Sequence, residues 1–181
     1  SGAGSLVTPV TGTAVVDVGV VPPALRGGAA SLGVATLQEG IALRRSGIQA
    51  PILLLGNLTQ AEELRSCLDW QLMPTLSSMR EAILCQNLAD SSGRRFSVQL
   101  KLDTGMARLG CDWQDAPRLV EAIRHLENLD LCGLYSHLAC ADGDPAGDDG
   151  DVTAQQQRRF REVLNQLPGR GRDLCRHLAN S

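Results

Sequence analysis

The residues best equipped for chemistry stand at the ends of short apolar runs. The run 97–103 leads through Lys101 and Asp103 into Thr104, Gly105, Met106 and Arg108. The run 131–136 ends directly at His137, and the run 174–179 contains His177 and opens onto Asn180 and Ser181. An arginine fork suits a carboxylate or a phenolate. An imidazole changes charge near neutrality. An amide and a hydroxyl at a strand end suit a phosphate. Gln99, Lys101 and Asp103 share one face of a strand by its two-residue period. That leaves Lys101 two readings: a salt bridge to Asp103 or another acid, or a lysine aimed into a polar site. Arg108 reads as a clamp or a surface arginine, and His137 as a ligand contact or a satisfied structural histidine.

These groups need a scaffold that brings strand ends together. Six apolar runs are short enough for buried strands: Leu32–Ala35, Pro51–Leu55, Gln71–Leu76, Ser97–Asp103, Leu131–Ser136 and Leu174–Ala179. Helix-start signals separate them. Thr36 precedes Glu39 by three residues, as Thr59 precedes Glu62, Ser78 precedes Glu81 and Thr153 precedes Gln156. Each spacing predicts a capping box. Leu37, Ile41 and Arg44 fall on one helical face, with Gly47 placed to end that helix. Pro117 suits the first turn of a helix over Pro117–Leu126, and Arg158–Leu167 completes the set. Alternating strands and helices give a parallel α/β fold with right-handed crossovers. The expectation is an incomplete parallel (β/α) TIM-type barrel of about six strand–helix units, since a full barrel takes about 250 residues. No G-x-G-x-x-G follows the first run, which disfavours a dinucleotide-binding sheet. In a parallel barrel the C-terminal strand ends build the site, where the polar groups above gather.

Composition removes other classes. The 181 residues carry 17 basic and 20 acidic side chains, a net charge of −3. That balance offers nothing to nucleic acid or an anionic membrane. No apolar run approaches the roughly 20 residues of a membrane span. The first positive charge is Arg26, so no basic leader opens the chain, which begins at Ser1 as a fragment would. Six scattered cysteines (67, 85, 111, 132, 140 and 175) lack any C-x-x-C pair and read as small buried residues in a reducing, cytoplasmic setting. The acidic stretch Asp142–Asp151 lacks the Glu of a calcium loop at its twelfth place and reads as a solvated loop, so no metal is expected. Residues 1–23 form an atypical segment outside the pattern: Ala14–Val21 suits a strand, and Pro22 and Pro23 stop any helix after it.

The segment Lys101-Leu-Asp-Thr-Gly-Met-Ala-Arg-Leu-Gly110 resembles the signature of alanine racemases. The blocks Gly33–Glu39, Arg45–Gly56, Pro74-Thr75, Gly133–Asp142 and His177–Ser181 resemble that family too, in its order and spacing across residues 24–181. The resemblance implies a pyridoxal 5′-phosphate enzyme that interconverts L- and D-alanine and supplies D-alanine for the bacterial cell wall. It implies that residues 24–181 are part of an eight-stranded barrel domain, followed in the family by a β-rich domain, with a homodimer as the active form. Arg108 would contact the cofactor's phenolic oxygen and the substrate carboxylate region, with Met106 beside it. His137 would pack along the pyridine ring, and Asn180 and Ser181 would hold the phosphate. Lys101 would steady Arg108, and His177 would support the catalytic tyrosine. The cofactor spreads the negative charge left when the α-proton departs, and racemisation needs a base on each face.

Two departures accompany the resemblance. The family's cofactor lysine belongs to a Lys-Ala-(Asn/Asp)-Ala-Tyr-Gly-His-Gly block that should fall within residues 5–20, where no lysine stands. The chain also stops at Ser181, ahead of the family's second domain and its tyrosine base. Neither catalytic base is therefore expected in this chain, which alone would be inactive. Codons of the lysine block read one base later give Thr-Pro-Thr-Gly-Thr, close to Thr-Pro-Val-Thr-Gly-Thr at residues 8–13, so a shifted reading frame is expected for this segment. Two alternatives stand beside the racemase: a barrel that holds pyridoxal phosphate without turnover, and a degenerate fragment.

Overall fold

The structure is a computed structural model that describes residues 31–107, 109–139 and 148–179, with backbone only at 148–151, 170 and 179. The expectations for residues 1–23 (the strand Ala14–Val21 and the Pro22–Pro23 stop among them), Arg108, Cys140, residues 142–147, Asn180 and Ser181 lie outside the described residues.

Among the described residues, seven strands and five α-helices follow one another: β1 Leu32–Val34, α1 Leu37–Arg45, β2 Ile52–Asn57, α2 Ala61–Asp69, β3 Met73–Leu76, α3 Met79–Ser92, β4 Phe96–Asp103, β5 Cys111–Asp112, α4 Ala116–Arg124, β6 Leu129–His137, α5 Asp148–Gln166 and β7 Cys175–Ala179. The sheet runs β1-β2-β3-β4-β6-β7, every pairing parallel, with the short β5 beside the end of β4. This is the incomplete (β/α) barrel the alternation predicts, and all six expected strands lie within two residues of their places. The two-residue β5 is an addition that no apolar run announces.

Helix starts obey the sequence in part. Thr36 caps α1 in full: its hydroxyl accepts from the Glu39 N–H, and the Glu39 carboxylate accepts from the Thr36 N–H. Ser78 accepts from the Glu81 N–H, but the Glu81 carboxylate reaches the N–H of Ser77 and the amide of Asn57. The Thr59 box does not form, because α2 starts after Gln60, which makes no side-chain cap. The Thr153 box does not form either: α5 begins at Asp148 and runs ten residues ahead of the expected Arg158. The acidic stretch is therefore partly helix. Ser46 caps α1, and Gly47 follows at φ 87°, a left-handed position suited to glycine.

The helices pack on the outer face of the sheet. Val98, Leu100, Leu102 and Leu134 are essentially sealed there, together with Val120 and Ile123 of α4 and Val163 of α5. In α1 the buried face is Leu37, Gly40 and Leu43 rather than Leu37, Ile41 and Arg44. A Cβ on Gly40 would lie 2.9 Å from Leu72 Cδ1, so the glycine lets α1 seat closely against Leu72. The Arg44 guanidinium instead ties the bottom of the barrel, donating to the carbonyls of Ile48, Ala50, Trp70 and Gln71.

The inner face carries a different set. Gln99, Gly133 and Cys175 sit side by side by register, and Lys101, Tyr135 and His177 form the next layer toward the strand C-termini. A bulge creates this arrangement. Val98 pairs with Leu131, but Gln99 pairs with Gly133, leaving Cys132 as the extra residue. A one-residue slip exchanges the faces of a strand. The bulge thus lets Leu129 and Leu131 face the helices below it while Tyr135 faces the interior above it.

Candidate active site at the mouth of the barrel

Two buried hydrogen-bond chains organise the interior beneath the strand ends. In the first, Thr75 Oγ1 donates to the Leu54 carbonyl at 2.6 Å, which commits its only proton. The Tyr135 hydroxyl, 2.8 Å away, must therefore donate to Thr75 Oγ1. Burial pushes the Tyr135 phenol up to about 12, against the opposing effect of the Thr75 bond. The Tyr135 ring stacks on His177, centroids 4.7 Å apart and planes 5° from parallel. The Lys101 Nζ lies 5.8 Å from the same ring centroid. His177 Nε2 meets Gln99 Oε1 at 2.8 Å, with both residues buried. An amide oxygen only accepts, so Nε2 carries the proton.

Burial lowers the His177 pKa from 6.5 to about 4. The unfolded chain then binds a proton that the fold refuses, so stability falls as pH drops from 6.5 toward 4 and is unaffected by this group above pH 7. At about 1.36 kcal/mol per pH unit, this residue alone removes about 2 kcal/mol of stability between pH 7 and pH 5. Urea unfolding of the wild type and of His177→Gln at both pH values checks this. The wild type should lose that much more than the variant; parallel pH profiles would contradict the assignment.

The second chain lies at the rim. Ser136 Oγ donates to the Leu102 carbonyl at 2.8 Å, so Thr104 Oγ1 donates to Ser136 Oγ, also at 2.8 Å. Just beyond, the Asp103 carboxylate accepts from the N–H groups of Gly105 and Ala107 at 2.9 and 3.0 Å. This pins the loop that carries Met106. Three residues there have positive φ: Gly105 at 141°, Ala107 at 54° and Gly110 at 133°. His137 is half-buried at the end of β6, beside the Ala179 backbone of β7.

Of the sequence-predicted residues, the fold brings Lys101 and His177 into one interior layer, and places His137 and Met106 at the rim above them. Arg108, Asn180 and Ser181 lie outside the described residues. Gln99, Thr75 and Tyr135 are interior partners to which sequence reasoning assigned no role. The strand period already placed Gln99 on the inward face, which was the available signal. The cysteines divide. Burial pushes the thiols of Cys67, Cys85 and Cys111 up to about 12, as inert core residues. Cys132 is half-buried and Cys175 exposed, contrary to the expectation of buried residues.

A cavity of about 720 Å³ lies at the opposite end of the strands, lined in part by Arg44, Arg94, Arg95 and Gln99. Its arginines are committed: Arg44 to four carbonyls, Arg94 to Asp69 and the Leu68 carbonyl, and Arg95 to Asp130 and the Glu127 carbonyl. The groups suited to chemistry are at the mouth.

Known proteins share this sequence pattern and this fold. The profile of the family "Alanine racemase, N-terminal domain" matches residues 13–181, which reaches back into the atypical N-terminal segment. The chain is 51% identical over 162 residues to an alanine racemase of Prochlorococcus marinus, a match covering 90% of this chain and 42% of that protein. It is 42% identical over 165 residues to an alanine racemase of Nostoc sp., with the same coverage. Among solved structures, an alanine racemase of Clostridium difficile superimposes with a TM-score of 0.81 at 29% identity, covering 91% of this chain and 44% of that one. An alanine racemase of Streptomyces coelicolor gives 0.73 at 33% identity, covering 87% and 42%. The chain therefore spans less than half the length of each of these relatives.

Proposed function

The chain belongs to the alanine racemase family, and we propose that its barrel mouth is that family's pyridoxal 5′-phosphate site, in a protein that interconverts L- and D-alanine. The observation that carries this reading is the meeting of Lys101, Tyr135 and His177 in one layer under His137 and the loop of Met106. The layer fits a flat anionic group. Lys101 brings its cation to a layer whose other two groups are held neutral: its register partner Tyr135, with the phenol raised, and His177 beyond it, with the imidazole lowered, both by burial. A negative ligand set above them meets positive charge.

On this reading His137 lies along the ring, Asn180 and Ser181 hold the phosphate, and Arg108 contacts the phenolic oxygen and the substrate carboxylate, with Met106 beside it. Lys101 steadies Arg108, and His177 supports a tyrosine base from elsewhere in the whole protein. Residues 24–181 contribute the barrel portion. When bound, the cofactor supplies an electron sink for the charge left as the α-proton departs. The side chains here orient it and exclude water from one side. The whole protein would act as a cytoplasmic homodimer that supplies D-alanine for the cell wall.

A second reading has its own support. Lys101 is the only lysine in the chain, and it stands on β4 in the matched block, away from the segment where the family carries its cofactor lysine. This chain by itself then holds pyridoxal phosphate without a covalent bond and without turnover. Absorbance with added pyridoxal phosphate tests both readings. The expected result is saturable binding that dialysis reverses and that borohydride does not fix to the protein. A borohydride-stable adduct on Lys101 would overturn the role given to that residue, and no saturable binding would overturn the cofactor site.

A further inference from the structure

Gln156 was expected to start a helix; it lies instead in the third turn of α5, 1% exposed. Its amide is fully employed. Oε1 accepts from the Ala139 N–H at 2.9 Å, and Nε2 donates to the His137 carbonyl at 3.0 Å and to Thr104 Oγ1 at 3.3 Å. The two backbone partners fix which way the amide faces, since an N–H only donates and a carbonyl only accepts. The Thr104 hydroxyl has already given its proton toward Ser136, so it needs a donor, and Nε2 is one. A directed chain results: Gln156 to Thr104, Thr104 to Ser136, Ser136 to the Leu102 carbonyl. Three residues along the same helix, Arg159 donates to the Thr104 carbonyl at 2.7 Å while its guanidinium lies 5.7 Å from the Trp113 ring centroid. A Cβ on Gly105 would meet that guanidinium at 2.8 Å, so the loop lies directly against it.

We propose that Gln156 and Arg159 are positioning residues that lock the loop after β4 to the end of β6, so that the two rims of the candidate site move as one body with α5. Only an amide of this length offers both donors and the acceptor. Glutamate lacks the donors, and an apolar side chain leaves the Ala139 N–H and the Thr104 hydroxyl without their partner. The functional meaning rests on the cofactor reading above, because these two segments carry Met106, Arg108 and His137; the coupling itself does not depend on it.

Backbone order parameters from ¹⁵N relaxation of the full 181-residue chain test the coupling. In the wild type, Gly105, Ala107 and Ala139 should all be rigid, at about 0.85. In Gln156→Met all three should drop below about 0.6, with Leu53 and Leu54 of β2 unchanged. In Arg159→Met the loss should appear at Gly105 and Ala107 and also at Ala139, which Arg159 does not touch. Ala139 remaining rigid in Arg159→Met, or Gly105 and Ala107 remaining rigid in Gln156→Met, overturns the proposal. If Gln156→Met does not fold, Arg159→Met decides alone. The same variants should bind pyridoxal 5′-phosphate about tenfold more weakly, the effect of one lost buried bond. Absence of binding in the wild type would count against the cofactor reading and leave the relaxation result to judge the coupling.

Discussion

Deletion of Cys132 should abolish the cooperative fold, while Cys132→Ala should cost only about 1 kcal/mol, the scale of a conservative change at a half-buried site. The difference lies in register rather than in the thiol. Cys132 is the extra residue of the β4–β6 bulge. Without it, either Leu129 and Leu131 leave the helix-facing core, or everything beyond the bulge turns over. In the second case Leu134 moves inward, and Tyr135 must bury its phenol among the leucines that face the helices. Tyr135 would lose Thr75, Ser136 would lose Leu102 and Thr104, and the two chains under the mouth would vanish together. Several unsatisfied buried groups at about 1–3 kcal/mol each, added to the misplaced leucines, are comparable to the whole 5–15 kcal/mol stability of an ordinary domain. Thermal unfolding followed by circular dichroism separates the two variants: no cooperative transition for the deletion, a transition near that of the wild type for Cys132→Ala. A cooperative melt of the deletion variant would show that this pairing is not what aims β6.

Gly110→Val should be the most damaging single substitution in the loop that joins β4 to β5. Gly110 sits at φ 133°, where L-residues are strained. A Cβ there would lie 2.6 Å from the Asp103 N and 2.7 Å from the Leu102 carbonyl carbon. Both are backbone atoms of β4, so nothing flexible can yield. The strain of about 1–3 kcal/mol adds to the cost of pushing β5 off β4, where Cys111 pairs with Leu102 and Asp112 with Asp103. A total near 4 kcal/mol corresponds to a fall in melting temperature of about 8–16 °C for a chain of this size. Gly47→Ala provides the contrast: its φ is positive but a Cβ there meets nothing within 4 Å, so only backbone strain remains. Equal melting temperatures for the two variants would contradict the close approach at Gly110. The glycine thus has a steric reason to close the Lys101–Gly110 block: it lets the chain fold back against β4 so that β5 can pair with it.

These two positions show where sequence reasoning reaches and where it stops. The six strands were legible because each buries an apolar run against helices, and that pattern survives without knowledge of partners. Capping was legible where the cap is purely local, as at Thr36. It failed at Thr153 because the same spacing serves a different purpose: Gln156 faces inward on the same helical side as Phe160, Val163 and Leu167, all buried. A glutamine in line with three apolar residues was the available signal. The bulge at Cys132 was not legible, because a single added residue leaves composition and periodicity nearly unchanged while exchanging the strand's faces. Strand parity faced Lys101 inward and strand-end logic grouped His177 near the mouth; register joins the two in one layer through Tyr135. Their shared neighbour Tyr135 was missed because a lone tyrosine in an apolar strand looks like core until register sets it beside His177.

On the proposed reading, the strand ends of β4, β6 and β7 hold one pyridoxal phosphate. A crystal structure of this chain with pyridoxal 5′-phosphate tests it most directly. The expected density places the phosphate on Ser181, the ring along His137 and the phenolic oxygen on Arg108, with no bond to Lys101. Cofactor density at the opposite end of the strands, or Arg108, His137 and Ser181 standing apart with no ligand between them, would contradict it.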